Sequence, residues 1–283
     1  MKLRVQMIRL VQGLAVKSGL FATALLVACA EPPTGPARDG VQVGGNSQFA
    51  NLVSAEQVEQ SGAQQYAQMM GQANQAKALA PANDPRLVKL RAIAAKIIPH
   101  TAAWNPRASS WKWEVNLLGS KDINAFCLPG GKIAFYTGIL DQLKLTDDEI
   151  AMVMGHEVAH ALREHARERM GKSAATSIGA SALSQLLGLG EVGQTVTRYG
   201  AGLLSLKFSR EDESEADLVG MELAARAGYD PRSGVTLWQK MGAGGAGAPE
   251  FMSTHPSGQS RIAEIQANLP RVMPLYERAR TGR

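Results

Sequence analysis

The chain has 283 residues, 45% hydrophobic and 19% charged, which is enough apolar material for a core in one large domain or two small ones. Its formal net charge of +5 belongs largely to the first residues. Lys2, Arg4, Arg9 and Lys17 are the only charges before Cys29, and without them the balance falls to +1. Nucleic acid is thereby excluded as an electrostatically supported partner of the remaining chain.

Residues 1–28 combine a basic start with an apolar run from Gly19 to Ala28. The run is too short for a permanent membrane helix and predicts a secretory signal. Leu26-Val27-Ala28-Cys29 resembles the bacterial lipobox. That resemblance implies lipidation of Cys29 and a membrane anchor on the periplasmic side of a bacterial cell envelope. Ala30, standing where Asp is absent, points by the same resemblance to the outer membrane. Residues 29–50, rich in Pro and Gly, predict a flexible tether. Residues 51–83, rich in Gln and Ala, predict a helical extension packed on a main domain.

Asp84 to Ile98 has Pro at its first turn and apolar residues at Leu87, Leu90, Ile93, Ala94 and Ile97, predicting an amphipathic helix that Pro99 stops. His100 then falls at the surface. Trp111 to Leu117 alternates with period two, so Trp111, Trp113, Val115 and Leu117 form the core face of a strand. Ile123–Leu128, the turn Pro129-Gly130-Gly131 and Lys132–Tyr136 predict a hairpin, and Gly138–Leu143 a short helix.

Thr146 to Arg169 predicts one long helix. Thr146 and Glu149 form a capping box, and Asp147 and Asp148 suit the positive end of the helix dipole. Within it lies His156-Glu157-Val158-Ala159-His160. A spacing of four sets both imidazoles on one face, within reach of a single metal ion, with Glu157 placed to take a proton from a water that the metal activates. The flanking residues are apolar nearly all round, which describes a buried helix. Ionisable groups buried there need compensation, and a metal supplies it. The segment from Ser173 to Leu206 is interrupted by Ser, Thr, Gln, Glu191 and Arg198, predicting packed helices and no membrane pair. Two histidines do not complete a zinc site. Glu213 and Asp217, four apart on a helix, are the candidates for a third ligand and for the carboxylate that accepts a ligand histidine's N–H. Glu211, Asp212 and Glu215 read as an exposed acidic face.

These motifs, in this order, resemble the HtpX and CAAX prenyl protease type of zinc metallopeptidase, with periplasmic lipoprotein members such as LoiP and BepA the nearest in pattern, minus a tetratricopeptide domain. The likeness runs from about Asp84 to Leu269 and includes Asn124-Ala125-Phe126, His165, Ser209-Arg210 and His255-Pro256 with Arg261. It implies an α+β zincin-like (gluzincin) domain over 84–270, mostly helical, with a small sheet beside the active-site helix. It further implies one zinc per chain, held by His156, His160 and Glu213, with Asp217 orienting a ligand. Glu157 is then the general base, His255 and Arg261 contact the metal or the oxyanion, and His165 lies behind a ligand or serves the fold. The strand Asn124–Leu128 is expected to pair with an extended substrate as an edge strand, with Asn124, Ala125 and Phe126 as its substrate-binding residues. The implied substrates are unfolded or misassembled envelope polypeptides, cleaved in protein quality control. The rival reading is a chaperone-like assembly scaffold with a latent zinc site. Cys127 reads as a buried hydrophobe, the Gly242–Gly247 run as a loop that gates the cleft, and 271–283 as a polar, basic tail.

Overall fold

The computed structural model describes residues 39–186, 202–242, 250–255 and 259–282. The leader, Cys29, residues 187–201 and the glycine-rich stretch 243–249 lie outside them. Capping side chains set the helix starts. Ser54 caps α1 (Ala55–Gln75), and Asp84 caps α2 (Pro85–Ile97), where Leu87, Leu90, Ile93, Ala94 and Ile97 are all buried. Three strands follow: β1 (Glu114–Leu118), β2 (Ala125–Leu128) and β3 (Lys132–Tyr136). They form a sheet of order β1-β3-β2, with β1 parallel and β2 antiparallel to β3. The hairpin turns through Gly130 and Gly131 at φ +85 and +78; a Cβ on Gly131 would stand 2.7 Å from the Trp113 ring. Trp111 and Trp113 precede the strand rather than forming part of it. They still pack against the core, and Trp111 Nε1 donates to Glu59 Oε1 at 3.0 Å.

After α3 (Thr137–Leu143) comes α4 (Asp147–Leu162), opened by the Thr146/Glu149 capping box and buried from Glu149 to Leu162. The expected single helix to Arg169 is in fact two. Glu164 takes a left-handed φ of 59, and α5 (His165–Leu186) starts anew behind it. This conformation disfavours a side chain. Partners on both sides compensate: Glu164 binds Arg167 Nη1 at 2.8 Å, and Arg163 binds Glu215 Oε2 at 2.9 Å.

Beyond the undescribed stretch, α6 (Arg210–Arg226) begins with its own capping box, Ser209 and Asp212. It crosses α4 backbone to backbone. A Cβ on Gly155 would lie 2.5 Å from Gly220 O, and one on Gly220 would lie 2.5 Å from His156 N. Helices α7 (Ser233–Gly242), α8 (Glu250–Thr254) and α9 (Gln259–Thr281) complete the described chain. Two expectations change here. The tail is the end of α9, with Val272 and Leu275 buried in the core. Residues 39–50, expected as tether, are docked: Val41 is buried and donates its N–H to Glu222 Oε2 at 2.9 Å, and a 3-10 helix over Gln48–Leu52 buries Ala50. Buried partners, invisible in the local composition, hold that segment. Among the described residues no helix is long and apolar enough to cross a membrane.

Candidate metal centre

The close α4–α6 crossing sets the histidines of one helix against the carboxylates of the other. His156, His160, Glu213 and His255, which follows α8, each offer one ligand atom, and these atoms lie within 4.8 Å of one another; all four residues are buried. His160 Nε2 stands 3.1 Å from His156 Nε2. His255 Nδ1 stands 3.2 Å from His156 Nε2 and 3.0 Å from Glu213 Oε1. Glu213 is 3.5 Å from each of His156 Nε2 and His160 Nε2. A tetrahedral ion with bonds of about 2.0–2.1 Å needs donors roughly 3.3 Å apart, so the set fits zinc. Glu157 adds a second sign: it is 3% exposed, yet its Oε1 has no hydrogen-bond partner. His255 Nε2 lies 3.6 Å from that oxygen. A buried carboxylate oxygen left bare is costly unless a ligand or water answers it.

The surroundings decide protonation. Burial opposes a charge on His156, but hydrogen bonds to Asp217 and Glu213 prevail and raise its pKa to about 9. Burial keeps His160 neutral. Glu213 resists burial through its contacts with His156 and His255 and is held far below the carboxylate range. Burial pushes the Glu157 pKa up.

Asp217 faces His156, Oδ1 to Nδ1 at 3.1 Å. Arg261 grips Asp217 from behind, with Nε and Nη2 at 2.6 and 2.7 Å, and its Nη1 is 2.8 Å from Glu213 Oε2. Its guanidinium lies over the Trp238 ring at 3.7 Å. Arg261 is 5% exposed and grips both carboxylates, Asp217 and Glu213. His165 Nδ1 meets His160 Nδ1 at 2.9 Å.

Asn124, Ala125 and Phe126 line a cleft beside α4, together with Glu157, His160 and His255. Ala125 and Phe126 lie on β2, with Asn124 directly before it, and β2 pairs only with β3 among the described strands. Leu203, Leu206 and Phe208 line it too, and Phe208 stacks on His160 at 4.1 Å. Cys127 is buried on the same strand. His100 is half-buried and outside the cluster. Sequence reading missed Phe208, whose only signal was its place just before Ser209-Arg210, and Trp238, which had none. It also misread part of the acidic run. Asp212 is a buried cap, and Glu215 is half-buried between Arg163 and His165.

A model described as Peptidase family M48 matches residues 88–269. The chain is 40% identical over 174 residues to Mitochondrial metalloendopeptidase OMA1 of Arabidopsis thaliana, covering 60% of this chain and 35% of that protein. It is 31% identical over 214 residues to the Saccharomyces cerevisiae protein of the same name (70% and 60%). To the Beta-barrel assembly-enhancing protease of Escherichia coli it is 26% identical over 209 residues (68% and 41%). The chain thus spans between 35% and 60% of the length of these relatives. Identity to the mitochondrial proteins exceeds that to the Escherichia coli protease, so the expected leaning toward BepA-like lipoprotein members is met only in part.

Proposed function

The chain belongs to peptidase family M48, and on that premise we propose that it is a zinc-dependent metalloendopeptidase in which His156, His160 and Glu213 hold the ion. The observation that carries this reading is the convergence of these donors beside the bare Oε1 of Glu157. When bound, zinc supplies Lewis acidity, acidifying a water and polarising a scissile carbonyl. Glu157 takes the proton of the attacking water and delivers it to the leaving amine; its raised pKa makes it the stronger base. Asp217 accepts the Nδ1–H of His156 and so keeps the Nε2 lone pair free for the metal, and Arg261 holds that carboxylate in place. The outer edge of β2, at Asn124–Phe126, takes an extended substrate as an added strand. Leu203, Leu206 and Phe208 favour a polypeptide with exposed apolar side chains, as unfolded proteins have.

His255 supplies a fourth donor, and a closed four-donor set characterises resting or structural zinc sites. We therefore read the present arrangement as latent, with His255 leaving when substrate enters. The same closure is what the scaffold reading rests on. For location we favour the bacterial envelope, on the lipobox-like Leu26–Cys29 and on the likeness to the Escherichia coli Beta-barrel assembly-enhancing protease. Cys29 then carries the lipid anchor, and misassembled envelope polypeptides are the substrates.

The test compares metal content and casein cleavage for the wild type, Glu157→Gln and His255→Ala. One zinc in each is expected, with cleavage by His255→Ala and, if less rapidly, by the wild type. Glu157→Gln should lose at least about 10²-fold in kcat/KM. A wild type that binds no zinc, or a Glu157→Gln protein as active as the wild type, would overturn the assignment. Zinc in all three without cleavage in any would favour the scaffold. Palmitate labelling and detergent partition should both vanish in Cys29→Ser.

A further inference from the structure

Helix α6 sends Glu213 to the donor cluster and Asp217 to His156, yet a third carboxylate between them has no place in that scheme. Glu215 Oε2 lies 3.4 Å from His165 Nε2, and His165 Nδ1 lies 2.9 Å from His160 Nδ1. His165 is 2% exposed, so this contact is made inside the protein. Arg163 Nε, 2.9 Å from the same Glu215 oxygen, keeps the carboxylate where it is, and Arg163 is in turn anchored on Gly44 O.

We propose that Glu215 and His165 form a relay of positioning residues that fixes the tautomer and orientation of His160 as a zinc ligand. This rests on the reading of His160 as a ligand given above. Its Nε2 is the atom that faces the other donors, so its Nδ1 carries the proton. The 2.9 Å contact then makes His165 Nδ1 the acceptor. That forces the His165 proton onto Nε2, which points at Glu215. A single proton arrangement satisfies all three groups, and it ends on a carboxylate, the acceptor best able to make an imidazole electron-rich. Both ligand histidines are thus backed by α6: His156 directly by Asp217, and His160 through His165 by Glu215. The helix break makes this possible. On a continuous helix His165 would sit about 140° around the axis from His160, whereas the left-handed Glu164 turns it back onto the ligand.

Zinc dissociation constants, measured on the full chain by competition with a chromogenic chelator, test the relay. His165→Ala and Glu215→Ala should each raise Kd about 10- to 100-fold. The double variant should be no weaker than His165→Ala alone, because Glu215 acts through His165. Glu215→Gln, whose amide oxygen still accepts the Nε2–H, should stay within a fewfold of the wild type. The cobalt-substituted His165→Ala protein should show a shifted d–d spectrum. An unchanged Kd in His165→Ala, or single effects that multiply in the double variant, would overturn the relay. If His165→Ala does not fold, His165→Asn serves: its Oδ1 accepts from His160 but breaks the link onward. Glu215→Ala should then cost nothing in that background, and any cost there refutes the proposal. A wild type that binds no zinc would sink the metallopeptidase reading itself, whereas a zinc-binding wild type with indifferent variants sinks the relay alone.

Discussion

Three buried groups around one point govern how the centre takes up metal. Without an ion, Glu213 is ionised, His160 is neutral and His156 holds a proton up to about pH 9. A metal entering below that pH must displace the His156 proton, whereas above it the site is already free. Zinc affinity should therefore rise about tenfold per pH unit between 7 and 9 and then level off. Calorimetry in buffers of different ionisation enthalpy should find close to one proton released per zinc at pH 7. A flat affinity over that range would mean that His156 is neutral in the metal-free chain.

The elements bring these residues together through contact between two backbones. Gly155 and Gly220 let α4 and α6 touch, so that His156 meets Asp217 across the crossing. Ala at position 220 has no room, since its Cβ would meet the α4 backbone rather than a flexible side chain. Gly220→Ala should cost about 1–3 kcal/mol in chemical denaturation and weaken zinc as well, because the strain separates the two halves of the donor set. Unchanged stability would show that the helices have slack. The start of α4 carries a second device. Glu149 is buried and closes the capping box, and it also accepts from Thr236 Oγ1 at 2.9 Å and Lys240 Nζ at 2.6 Å. Burial works against its charge, but these donors, Lys240 foremost, hold its pKa below the ordinary carboxylate value. A depressed carboxylate stabilises the fold fully above its unfolded pKa, and that contribution disappears as pH falls through the folded one. Stability in the acid range should thus depend less steeply on pH in Glu149→Gln, as urea midpoints between pH 3 and 6 would record.

Across the whole molecule, the chain ahead of α1 acts as a strap. Val41 N–H reaches Glu222, Arg163 reaches Gly44 O at 2.6 Å, and Arg167 reaches Val53 O at 2.6 Å. Glu222 is fully buried and also binds Arg226 Nε at 2.8 Å, while Arg226 holds Asp39. Glu222→Ala deprives the buried Val41 N–H of its acceptor and should cost about 1–3 kcal/mol. Amide exchange should quicken over residues 39–53 while zinc content stays at one. Exchange unchanged in that stretch would show that other contacts hold the strap.

Features decided by near neighbours were legible in the sequence alone. The caps at Thr146 and Ser209, the hairpin through Gly130 and Gly131, the apolar stripe of α2, the paired histidines one turn apart and the four-residue spacing of Glu213 and Asp217 all follow from local geometry. The small sheet beside a buried helix and the zincin-like class are what the family resemblance carried by these motifs implies. Only the tertiary structure decided what depends on residues far apart in the chain. The left-handed Glu164 is disfavoured locally, so a local reading runs the helix straight through it; Arg163 and Arg167, anchored by distant partners, hold the break open. Arg261 faces Asp217 and Glu213 because α9 packs on α6, and Glu215 has a role only because the break delivers His165 to it. The strap and the end of α9 are polar in composition and become ordered only where a buried acceptor or an apolar surface from elsewhere meets them.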